Sequence, residues 1–192
     1  MKKLGVLVFT FLLPLVSYAT DIRTVESVID AAILDLNDDA GFDRAVLVAE
    51  EEGSDADLYI FLSSFDEATR EHKTDLAAVK KGFVFNGPMW GQQPSLSVNS
   101  KGSLQITSMN EAIGRGRFTQ VLTVVYRNNQ LLVGGVTYTY RDTLDPEVGG
   151  TCDVNFLTGK GIHNGKRIQV PAGGISLDDW SEEQLAKVCQ LN

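Results

Sequence analysis

Arg117-Phe-Thr-Gln-Val-Leu-Thr-Val-Val-Tyr-Arg127 and Leu131-Leu-Val-Gly-Gly-Val-Thr-Tyr-Thr-Tyr-Arg-Asp-Thr143, joined by Asn128-Asn129-Gln130, decide the fold class. Both runs are rich in β-branched and aromatic residues, which suit a pleated, half-buried surface. The connector is short and polar, with two asparagines that tolerate the left-handed backbone of a tight turn. From Val136 to Arg141 the residues alternate. Val136, Tyr138 and Tyr140 share one face, and Thr137, Thr139 and Arg141 share the other. Val121–Val125 is more continuously apolar, as a strand covered on both faces would be.

Two further hairpins precede this one. Ala45–Ala49 and Asp57–Leu62 flank Glu50–Ala56, and Ser95–Val98 and Ser103–Ile106 flank Asn99–Gly102. Three consecutive hairpins predict a mainly β chain, an antiparallel sandwich or irregular barrel. A partial propeller-like sheet is the alternative. Two helices are expected. Thr24–Ala32 places Val25, Val28, Ile29 and Ala32 at helical spacing, although Ala31–Leu36 also reads as a strand. At the C-terminus Ser181-Glu-Glu-Gln184 has the form of a capping box, with Trp180 and Leu185 placed as a hydrophobic staple. Phe65–Lys73 is polar and reads as a loop or short helical turn. There is no Pro/Gly-rich linker or internal repeat, so residues 20–192 are expected to form one domain.

Residues 1–19 read as a secretory signal. Lys2 and Lys3 precede an apolar core from Gly5 to Val16, and Ser17-Tyr18-Ala19 supplies the small residues of a cleavage site. The apolar run is shorter than the ~20 residues of a membrane span. A periplasmic or secreted protein without a membrane span is the expectation. Cleavage removes two lysines and takes the formal net charge from −8 to −10. So acidic a chain repels phosphate backbones, which argues against a nucleic-acid partner. Cys152 and Cys189 are the two cysteines. In an exported chain an even count favours a disulfide, worth about 4 kcal/mol over this loop, with two buried thiols as the alternative.

The one stretch with metal chemistry is Asp35-Leu-Asn-Asp-Asp-Ala-Gly-Phe-Asp43. Asp35, Asn37, Asp39 and Asp43 put side-chain oxygens at alternate positions, and Gly41 offers a main-chain carbonyl. Such a loop suits calcium, which takes about six to eight oxygen ligands. The other reading is an Asx-rich turn without metal. An EF-hand is excluded, because its twelfth position would be Val46 and its sixth is Ala40. The pattern resembles the calcium loop of FG-GAP or VCBS repeats, in which D-x-[DN]-x-D-G-x-x-D joins two strands. The resemblance covers residues 31–62, and Ala40-Gly41 departs from it by shifting the glycine one place. It implies a structural calcium ion held by Asp35, Asn37, Asp39, Gly41 and Asp43. The whole chain, with Met89–Pro94 and Asn155–Lys160, is similar to small exported bacterial proteins, which implies no activity.

Other candidates are weaker. His72 and His163 lack the partners of a zinc site. Gly114-Arg-Gly116 and Gly159-Lys-Gly161 are too short for a phosphate cradle and read as turns. Asp142, Asp145, Glu147 and Asp153 form an acidic stretch that serves as a solvated loop, as a second weak cation site, or as paired carboxylates of a glycan hydrolase. Arg115, Arg117 and Arg141 are candidate ion-pair partners for it. Met89, Trp90, Gln92 and Gln93 form the candidate binding surface, since an aromatic beside paired amides can anchor a partner or stack on a sugar. The alternative is that Met89 and Trp90 plug the core. The expected function is a periplasmic, calcium-stabilised, non-enzymatic binding protein. Its partner would be a protein or glycan of the cell envelope, and one version is an inhibitor or immunity protein against a cell-wall enzyme. The rivals are a hydrolase acting on envelope glycans through Asp142–Asp153 and an envelope protein whose partner shows only under particular conditions.

Overall fold

In the computed structural model, which describes residues 27–49, 54–87, 89 and 91–191, the deciding hairpin forms, with Gln130 paired to Arg127 so that the turn is Asn128-Asn129 alone. Strands β7 (Gly116–Arg127) and β8 (Gln130–Asp142) pair antiparallel, with Phe118 opposite Tyr140 and Leu122 opposite Val136. Asn128 and Asn129 take positive φ of 52° and 59°, the backbone of the tight turn. The predicted signal segment, residues 24–26 and Trp90 lie outside the described residues.

The described residues form two antiparallel sheets and a short helix. The first sheet runs β1 (Val28–Leu34), β2 (Asp43–Val48), β3 (Ala56–Asp66), β4 (Glu71–Val84), each strand beside its chain neighbour. The second contains β5 (Ser95–Val98), β6 (Leu104–Asn110), β7, β8, β9 (Gly149–Asn155), β10 (Lys160–His163) and β11 (Lys166–Gln169) in chain order, with β12 (Ile175–Ser176) added against β8. Neither sheet closes into a barrel. The architecture is a β-sandwich followed by α1 (Glu182–Cys189).

One hydrophobic core joins the sheets. Leu47, Leu58 and Ile60 from the first meet Leu104, Leu122, Val124, Val136 and Val154 from the second. Burying each such side chain contributes about 1.5–3 kcal/mol. At the β1–β5 corner the Leu96 amide donates to Asp30 Oδ2 at 2.7 Å. The C-terminal helix packs through Leu185 and Cys189, and Cys189 is disulfide-bonded to Cys152 of β9.

Three local expectations are corrected. The predicted helix Thr24–Ala32 is instead, from Val28 onward, strand β1, with Ala32 and Leu34 buried and Ile33 65% exposed. Val28 and Ala32 are four apart, a spacing that both a helix and a strand place on one face. Pairing with β2 decides the matter. Phe65–Lys73 is a turn only at residues 67–70. Its flanks belong to β3 and β4, which extend as a hairpin arm beyond β2 with Phe65 opposite His72. Their rings lie 5.0 Å apart, and Asp66 closes the turn by accepting the Ala68 and Thr69 amides. The capping box does not close. Ser181 holds the N-cap position without a side-chain bond, while Gln184 Nε2 donates to the Asp179 carbonyl at 2.9 Å. The buried Trp180 and Leu185 of the staple remain to anchor the helix start.

Candidate functional site

The predicted cation loop connects β1 to β2. The Asp35 carboxylate accepts the amides of Asp39 (3.1 Å) and Ala40 (2.9 Å). Asp39 accepts the Gly41 amide at 2.7 Å and the Asn37 carboxamide at 2.9 Å. Positive φ falls on Asp38 and Ala40, at 61° and 62°. Gly41 has another role, because a Cβ there would sit 2.6 Å from Ser63 Oγ. Asp43 is fully buried. Its Oδ2 accepts the Leu36 amide at 2.8 Å, and its Oδ1 accepts the Ser63 amide at 2.8 Å and the Ser63 hydroxyl at 3.4 Å. It therefore ties the loop to β3. Oxygen donors of this kind suit a hard cation. Among the described residues, however, no group of three or more His, Cys, Asp or Glu side chains is gathered as a metal shell. The Asp35 and Asp39 carboxylates are occupied by the loop's own amides, and Asp43 is shared with Ser63 of β3.

The predicted Met89–Gln93 surface divides. Met89 and Gln93 are exposed, and Trp90 lies outside the described residues. Gln92 is buried, and its carboxamide oxygen accepts the Glu111 amide at 3.0 Å. It braces the crossing between the sheets.

The sequence reading missed a cleft of about 590 Å³ at one end of the second sheet. Its floor is aromatic. Tyr138 and Tyr140 lie in one strand on the side that carries buried Val136, and Phe118 stands opposite Tyr140 on β7. The rings are nearly parallel. Phe118 and Tyr138 centroids are 5.7 Å apart at 26°, and Tyr138 and Tyr140 are 5.8 Å apart at 24°. Phe85 buttresses Phe118 edge-on at 5.4 Å. The alternation of Val136, Tyr138 and Tyr140 was visible in the sequence; Phe118 joined them only through the register.

The walls are polar. Asn110, Asn164, Gln190 and Leu191 line the cleft with Arg117, Arg141, Asp142 and Glu147. Asn164 is seated by its Oδ1, which accepts the Thr151 amide at 2.9 Å, and it rests on Gly150, where a Cβ would come within 2.0 Å. Gln190 and Leu191 follow Cys189, so the disulfide sets one wall. Neither Tyr138 nor Tyr140 has a hydroxyl hydrogen bond among the described residues. Burial, with Glu182 and Tyr140 nearby, raises the Tyr138 phenol above its ordinary value.

The acidic stretch splits between faces. Asp142 lies at the cleft, taken up by Arg115 Nε at 2.5 Å and the Leu144 and Asp145 amides at 2.8 and 3.2 Å. The Arg115 hydrogen bond and then the Leu144 amide hold its carboxyl below the usual range. Asp153 stands opposite Thr137 on the other side of the sheet, exposed. The two are not paired, and a carboxyl held ionised is poorly suited to donate a proton as a general acid. Arg141 pairs with Glu111 rather than with the acidic loop, and Arg117 Nη1 is buried without a partner among the described residues. His163 is a half-buried residue of β10 with Nε2 likewise unpartnered among the described residues. No model of a protein family, no curated protein and no solved structure matches this chain.

Proposed function

We propose that this chain is an exported, non-enzymatic binding protein of the cell envelope that presents the aromatic cleft to its partner. The observation that carries the reading is the cleft itself, an aromatic floor inside polar walls on a sheet stapled by Cys152–Cys189. Clefts that combine apolar surface with a few placed polar groups are the usual form of a recognition site. The commitment of Asp142 to Arg115 and to its own turn favours binding over hydrolysis. Export rests on the signal-like residues 1–19. Among the described residues no helix is long and apolar enough to cross a membrane.

Calcium remains part of the proposal. Asp35, Asn37 and Asp39 already meet within hydrogen-bond reach at the head of the β1–β2 loop, and the FG-GAP-like spacing supports a cation there. Asp43 is then the anchor of the loop rather than a free ligand. The thermal melt of the oxidised mature chain, in millimolar calcium and in EDTA, tests this. A ligand at 100 times its dissociation constant adds about 2.7 kcal/mol, and an unchanged melt removes calcium from the reading. The binding role is tested by capture from envelope extracts and by calorimetry against basic wall hydrolases, which the acidic surface suits. A saturable one-to-one complex is expected. Turnover of envelope glycans by the purified chain would overturn the non-enzymatic reading.

A further inference from the structure

The charges lining the cleft balance on a strongly acidic chain. Arg117 and Arg141 stand against Asp142 and Glu147. Two of these four are neutralised in place, Arg141 by Glu111 and Asp142 by Arg115. The other two are opposite in sign: Arg117, whose Nη1 is buried without a partner, and Glu147, which has no ion-pair partner among the described residues, so a ligand bearing one sign of charge gains at one and is repelled at the other. What the cleft offers is different. Its floor is three near-parallel rings spaced 5.7 and 5.8 Å apart. Around them stand two phenol hydroxyls that make no hydrogen bond among the described residues, the Gln190 amide and the Glu147 carboxylate.

This set matches a neutral pyranose. One face of such a ring is a sheet of C–H groups, apolar and slightly positive, complementary to the negative face of an aromatic ring. Its rim is hydroxyl, each group both donor and acceptor, which phenols, amides and carboxylates satisfy without ionic pairing. A flat aromatic ligand would use the floor and leave the polar rim unpaired, a cost for every group it desolvates. We propose that the cleft floored by Phe118, Tyr138 and Tyr140 is a binding site for a neutral oligosaccharide, with sugar rings laid on Tyr138 and Tyr140. The groove of about 860 Å³ against α1, lined by Phe156, Ile168, Val170, Pro171, Ile175 and Val188, has no such row of rings.

The inference rests on the binding-protein reading and names its ligand class. The test is amide chemical-shift mapping of the oxidised mature chain with maltose, cellobiose and N,N′-diacetylchitobiose. Galacturonate and glucosamine serve as charged controls. At least one neutral disaccharide is expected to shift residues 116–118, 138–141 and 147–150, with the charged sugars weaker. Tyr140→Ala should weaken binding about tenfold, while Tyr138→Phe, which keeps the ring, should change it by less than about threefold. Lys73→Ala on the β3–β4 arm should leave it unchanged. The melt of each variant separates lost binding from lost fold. No shift with any neutral sugar at about 20 mM, a concentration that detects even millimolar dissociation constants, overturns the inference. So do shifts confined to the α1 groove, or equal binding of the charged sugars. Capture of a protein partner that Tyr140→Ala leaves intact, together with no sugar shift, would overturn the sugar site and move the binding-protein reading to a surface other than the cleft.

Discussion

Replacing Asp43 with alanine removes an acceptor from the middle of the fold. Its carboxylate is fully buried and takes the Leu36 and Ser63 amides, each at 2.8 Å. Leaving a buried donor unsatisfied costs about 1–3 kcal/mol. Two of them give about 4 kcal/mol, to which loss of the weaker Ser63 hydroxyl contact adds little. That is a large share of the ~5–15 kcal/mol that holds a typical domain together. For a domain of this size each kcal/mol moves the midpoint by about 2–4 °C, so a drop of about 8–16 °C is expected. The assay is a denaturant or thermal melt in EDTA with the disulfide intact. Working in EDTA matters. If Asp43 acts as the anchor between loop and β3, the full loss appears without calcium. A loss below about 1 kcal/mol in EDTA that grows only when calcium is present would refute this reasoning and make Asp43 a ligand first.

The same loop predicts a gain. Ala40 sits at φ 62°, where a Cβ is strained, so Ala40→Gly should stabilise by about 1 kcal/mol in the same melt. Asp142 has a carboxyl held below its ordinary range by Arg115 and the Leu144 amide. The stability it confers is therefore present above its unfolded pKa and lost as pH falls through the lower folded value. Amide exchange in residues 142–149 should quicken below about pH 4, earlier than in the core, and Asp142→Asn should abolish that pH dependence. Cys189→Ser should lower stability by up to about 4 kcal/mol and detach the wall made by Gln190 and Leu191, so sugar-induced shifts should weaken even where the sheets stay folded. Spectrophotometric titration should find one tyrosine ionising late, above pH 10, and Tyr138→Phe should remove it.

The hairpins were legible where one face of a strand is buried and the other wet. At Val136–Arg141 burial imposes alternation, and alternation can be read without a partner strand. It failed at the margins of the first sheet. β4 is an edge strand, and its outer half forms an arm with solvent on most sides. Glu71, Lys73 and Asp75 therefore show no apolar period although the backbone is extended. β1 was misread because a four-residue spacing satisfies two periods at once. The cysteine pair and the helix face bearing Leu185 and Cys189 were readable, since both follow from local spacing. The cleft was half readable. Tyr138 and Tyr140 announce a shared face, but Phe118, Asn164 and Gln190 reach them only through register, a glycine without a Cβ and a disulfide. None of these is a property of a single stretch. The residues that did stand out, Met89 to Gln93, did so by composition, and composition does not reveal that Gln92 is held inside by the Glu111 amide.

Each sheet is woven from one unbroken stretch of chain, residues 28–84 and then 95–176, and the passage between them is residues 85–94. A chain arranged in this way can be cut once, at the exposed Gly91, without severing a strand from its sheet. The halves would meet again across an apolar interface as two polypeptides. The cation loop and the hairpin arm would then belong to one fragment, and the aromatic cleft with its disulfide to the other. Fragment complementation would thus assign each property to its own half, and the same seam is where nature or an engineer would graft one sheet onto a different partner.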